Sequence, residues 1–93
     1  MDRGHERTLK ARLEEAATQG CAHIASAELH QWYQVKKLAA ATWRDLADRW
    51  EEAVDAAKLY QPSFEDPGEL MSINGKAGIF IFGEKRVERV RPS

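Results

Sequence analysis

A chain of 93 residues with 43% hydrophobic content is long enough for one domain with a modest core and too short for two. Fourteen basic side chains against fifteen acidic ones leave a formal charge of -1, which excludes a global field drawing the chain onto phosphate or an anionic membrane. Cys21 has no cysteine to pair with, the opening residues are charged and unlike a signal peptide, and the longest apolar run, Ile79 to Phe82, falls far short of the ~20 residues that cross a bilayer; a reducing, cytoplasmic setting without membrane contact follows.

In chain order, Leu9, Leu13, Ala16 and Ala17 recur at helical spacing and predict a first helix over about 6–19, which Gly20 is placed to end. Cys21 to Ile24 reads as a short extended segment. Ser26 is the expected cap of a second helix over about 27–34, with Glu28 in its first turn and Leu29, Trp32 and Tyr33 turned inward. Val35, Lys36 and Lys37 belong to the turn that follows. A third helix spans about 39–58. Trp43, Leu46, Ala47, Trp50, Val54 and Ala57 form its expected apolar face, and Arg44, Asp48, Glu51, Glu52 and Asp55 lie away from it. Thr42 and Asp45 resemble a capping box, or the helix starts one turn earlier in Ala39 to Ala41; Arg44 with Asp48 and Asp45 with Arg49 are i, i+4 pairs.

Pro62, Pro67 and Gly68 mark 61–69 as a loop. A hairpin over about 70–90 follows, with Leu70 to Ile73 and Gly78 to Phe82 as strands and Asn74-Gly75 at the turn, where positive φ is expected. Glu84 to Val90 reads as a further strand or a continuation past a bend at Gly83. Trp32, Trp43 and Trp50 are expected in the core, with Tyr33 and Tyr60 at its edge and their hydroxyls in water.

Three helices followed by a hairpin make an α+β layout that resembles the winged-helix family over about 70 residues. In that family the third helix enters the major groove of duplex DNA and the wing touches the backbone. The resemblance implies Lys36, Lys37, Thr42 and Arg44 as readers, Lys76 at the wing tip, and Lys85, Arg86, Arg89 and Arg91 as phosphate contacts. Charge departs from the family's habit. Five bases and six acids between Ala25 and Lys58 sum to -1, so only the first turn of the third helix suits a groove, whereas four bases and two acids over Gly83 to Ser93 give +2.

Ile79, Phe80, Ile81 and Phe82 are apolar on both faces of a strand, so the second face needs a cover. That cover is either the first helix or the loop around Phe64, or else an interface with a second copy or a partner protein. The same run, with the acidic face of the third helix and the 65–69 loop, is the alternative to DNA: a winged-helix module that binds protein. No catalytic set and no cofactor motif is legible. Asn74 to Gly78 lacks the spacing of a phosphate loop. Cys21, His23 and His30 lack the number and spacing of zinc ligands, and read better as a buried thiol with two imidazoles than as a metal or nucleophile site.

Overall fold

The computed structural model describes residues 2–34 and 39–88. Its elements run α1 (Arg3–Gln19), β1 (Ala22–Ala25), α2 (Ser26–Tyr33), α3 (Ala40–Tyr60), β2 (Leu70–Asn74) and β3 (Gly78–Gly83), then a single 3-10 turn at Glu84–Arg86. The three strands form one antiparallel sheet in the order β1-β3-β2. This is a winged-helix-like α+β domain with a C-terminal hairpin.

α1 starts a turn earlier than its apolar stripe requires, because the Asp2 carboxylate accepts the N–H of His5 at 2.8 Å and so caps it. Gly20, at φ +112°, ends it. Ser26 does not cap α2. It is the first helical residue, and its N–H donates to Ala77 O; the capping carboxylate is Glu28, which accepts from Ala25 N at 3.1 Å. Gln34, at φ 52°, stops the helix. α3 opens at Ala40, the earlier of the two expected starts, without a side-chain cap. Its buried stripe is Thr42, Leu46, Trp50, Ala53 and Val54, while Ala47 is exposed. One residue past Leu46 is 100° around the helix, which carries Ala47 out of the stripe.

α1 and α2 pack on one face of the sheet, and α3 packs against α1. Leu9, Leu13, Ala16 and Ala17 of α1, Ile24 of β1, Leu29 and Trp32 of α2, the α3 stripe, and Ile79 and Ile81 of β3 make one core, with Tyr33, Trp43 and Phe64 partly buried against it. α1 and α3 start at the same end: Arg49 reaches Glu6 at 3.7 Å, and a groove further along is lined by Thr18 and Tyr60. Tyr33 is not free in water, since its hydroxyl donates to Asp45 at 2.7 Å; Tyr60 leaves the core edge altogether and is 88% exposed. Cys21 is exposed rather than buried.

The hairpin departs from its expected form in two ways. Asn74 and Gly75 have no positive φ; that conformation falls on Gly78, and Gly75 N donates to Gly78 O at 2.8 Å. Past Gly83 there is no strand through Glu88. The N–H groups of Glu84 and Lys85 bond to Glu69 O and Pro67 O, which turns the chain onto the preceding loop.

Candidate interaction surfaces

Among the described residues, Arg44 and Lys85, two of the cations implied as DNA contacts, lie far apart along α3, and Arg86 is engaged with α1. Thr42 is 6% exposed and faces the core one turn before Leu46, so it is no reader of bases. This corrects its assignment: with the helix starting at Ala40, position 42 falls on the buried stripe. Arg44 is exposed, and no carboxylate lies within salt-bridge distance of it among the described residues; the expected pair with Asp48 is absent there, whereas Arg49 does bond Asp45 at 2.7 Å. Lys76 is exposed on the hairpin turn, but the turn does not project as a free wing, because Gly78 pairs with Ala25 and Ala77 O accepts from Ser26 N. Lys85 sits beside Asp55 and Lys58 near the far end of α3, roughly 20 Å along the helix from Arg44. Arg86 donates to Ala17 O at 3.0 Å and so closes the last turn of α1. Lys36, Lys37, Arg89 and Arg91 lie outside the described residues.

Acids dominate the solvent face of α3. Asp48, Glu51, Glu52 and Asp55 are all exposed. A groove of about 560 Å³ between α3 and the hairpin is lined by Glu51, Asp55, Asp66, Glu69 and Glu84 against only Lys58 and Lys85. Trp50, which donates its indole N–H to Gly68 O at 2.9 Å, helps to fix the loop that forms the opposite wall. Lys58 meets Asp66 at 2.7 Å; their hydrogen bond holds the ammonium above and the carboxyl below their ordinary values.

Period-two alternation divides the predicted Ile79 to Phe82 interface. Ile79 and Ile81 are 3% and 0% exposed and belong to the core, which removes them from any binding surface. Phe80 and Phe82 point the other way. Register places Ile73 and His23 on either side of Phe80 and Met71 beside Phe82. The His23 ring lies 4.7 Å from that of Phe80. Met71, Ile73 and Phe80 are 45%, 60% and 48% exposed, so neither α1 nor the Phe64 loop covers this outer face; both pack against the core instead. Met71, Ile73 and His23 were missed in the sequence. Their signal was present, since Met71 and Ile73 alternate with Ser72 in register with Phe80 and Phe82.

The two edges of the sheet differ in chemistry. On β1, Arg12 donates to His23 O at 2.8 Å and pairs bidentately with Glu28, whose carboxylate also takes Ala25 N. Burial opposes ionisation of Glu28, but the Ala25 N–H and the Arg12 guanidinium outweigh it and hold the carboxyl below its ordinary value. On β2 nothing comparable occurs among the described residues. The hairpin ladder turns the N–H and C=O groups of Met71 and Ile73 toward β3, which leaves those of Leu70, Ser72 and Asn74 on the free edge.

Among the described residues no three His, Cys, Asp or Glu side chains are grouped to hold a metal ion, and no helix is long and apolar enough to cross a membrane. No family model, curated protein or solved structure matches the chain.

Proposed function

We propose that the protein is a winged-helix interaction module, acting without catalysis, that holds a partner protein against the outer face of its sheet. The observation that carries this reading is the exposure of Met71, Ile73 and Phe80 on one continuous face, with Phe82 and His23 beside them. Three half-exposed side chains of that size leave roughly 300 Å² of apolar surface, in the range of patches that mark interaction sites. The acidic groove along α3 supplies a flank that favours a partner carrying basic residues next to its apolar anchor. Capture from nuclease-treated lysate compares the wild type with an Ile73→Asp/Phe80→Asp variant, both verified as folded by circular dichroism. Partner recovery should fall at least about tenfold in the variant. Equal recovery by the two proteins would sink the reading.

Duplex DNA is the second reading, supported by the winged-helix-like topology and by exposed Arg44 near the start of α3, free of any carboxylate partner among the described residues. It ranks second because the rest of the exposed α3 surface repels phosphate. Fluorescence anisotropy with labelled duplex at low salt decides it: a salt-sensitive affinity lost on Arg44→Glu upholds DNA binding, and no titratable signal removes it.

A further inference from the structure

Among the described residues, one sheet edge is plugged and the other is bare. Two outward backbone groups of β1, His23 O and Ala25 N, are met by Arg12 and Glu28, a cover of the kind that prevents strand addition. β2 carries no lysine, proline or bulge over Leu70–Asn74, and every residue from Met71 to Asn74 is exposed. Its free groups recur at Leu70, Ser72 and Asn74, the spacing that an antiparallel neighbour requires.

The sequence of β2 is complementary to itself about Ser72. Antiparallel pairing centred there sets Leu70 opposite Asn74 and Ser72 opposite Ser72, which are the residues whose backbone groups face the edge. Met71 then lies opposite Ile73 on the outer face, an apolar pair on each side of the two-fold axis. Glu69 of one copy falls beside the Gly75-Lys76 turn of the other. Within one molecule those charges lie at opposite ends of β2, and neither forms an ion pair among the described residues.

We propose that two copies of this chain pair through β2 in that register, forming a six-stranded sheet with six new backbone hydrogen bonds and one outer apolar face shared by both molecules. The pairing goes beyond the docking of a separate partner and does not depend on it. It is an isologous contact of small area, and so a transient dimer rather than an obligate one.

Sedimentation velocity and hydrogen exchange test this on the full chain between about 1 µM and about 1 mM, the range in which small interfaces associate. The mass should rise from 10.6 kDa toward twice that value. Over the same range the amides of Leu70, Ser72 and Asn74 should gain protection, while those of Met71 and Ile73 stay protected throughout. Ser72→Pro removes only an edge-facing N–H, so it should leave the hairpin folded and the protein monomeric. Lys76→Glu, on an exposed turn that does not depend on its charge for folding, should weaken the dimer about tenfold at low salt, and Glu69→Lys/Lys76→Glu should restore it. A wild type that stays monomeric across the range overturns the pairing. So does a dimer that persists in folded Ser72→Pro, or one indifferent to the charge swap. Because Ile73 belongs to both surfaces, Phe80→Asp alone separates them: Phe80 lies on β3, outside the β2 pairs, so loss of partner capture in that variant leaves this result standing or falling on its own.

Discussion

Gly78 shows how much of this fold can hang on one hydrogen atom. Its φ is +153°, and a Cβ built there would overlap Ile24 O while lying 2.8 Å from the Cα of Ala25. β1 and β3 approach each other only because no side chain intervenes. Gly78→Ala should therefore destabilise the domain by about 2 kcal/mol or more, as both a strained backbone and a steric clash must be accommodated. Gly75 is the internal control. Its φ is not positive and a Cβ there meets only Gly78 O, at 3.5 Å, so Gly75→Ala should change stability by less than about 1 kcal/mol. Urea midpoints of the two variants check the contrast, and equal shifts would refute it. The dipeptide Asn74-Gly75 announced a turn, yet the residue that needs glycine is Gly78. That demand comes from β1, more than fifty positions earlier in the chain, and local turn chemistry carries no trace of it.

At the scale of elements, the Arg12 and Glu28 plug ties α1, β1 and α2 together and should give the protein a pH-dependent stability. The folded carboxyl of Glu28 titrates below its ordinary 4.5. Its contribution is thus fully present above that value and is lost as pH falls through it toward the lower folded pKa. Glu28→Gln should lower stability at pH 7 by about 1–3 kcal/mol, and the gap to the wild type should narrow as pH drops below about 4.5. Denaturation midpoints measured between pH 7 and pH 3 would contradict this if the gap stayed constant. Elements with strong local periodicity were legible: the α1 stripe gave its core residues, and Leu46, Trp50 and Val54 gave the α3 face. β1 was legible as an extended segment but not as a strand, because its partners, Ala22 with Ile81 and Ile24 with Ile79, are set by tertiary contact. Glu84 to Glu88 failed for the opposite reason. An alternating pattern suggested a strand, but carbonyls of the 67–69 loop take the first two N–H groups.

Across the whole molecule, near-neutral charge conceals a division that only folding reveals. Glu51 and Asp55 of α3 converge with Asp66, Glu69 and Glu84 on one groove, while Arg44 is parted from Lys85 by much of the helix length and Arg86 is held by Ala17 O. The list of cations was readable in the sequence; their separation was not, because it depends on where Gly83 and the 3-10 turn send the chain. The winged-helix-like layout and its charge therefore pull apart, and they can be separated experimentally. Asp48 and Glu51 are exposed on adjacent turns of α3 and form no ion pair among the described residues. Replacing both with lysine changes the charge of that surface by about four units without touching the core, and each new phosphate contact should steepen the dependence of log affinity on log salt by about 0.9. The Asp48→Lys/Glu51→Lys variant should bind duplex DNA at least about tenfold more tightly than the wild type at low salt, with a slope steeper by about 2, measured by anisotropy. An unchanged affinity in a folded variant would mean that α3 cannot approach a duplex at all, whatever its charge. A gain would mean that the scaffold retains the shape for DNA and that its acidic α3 surface turns phosphate away.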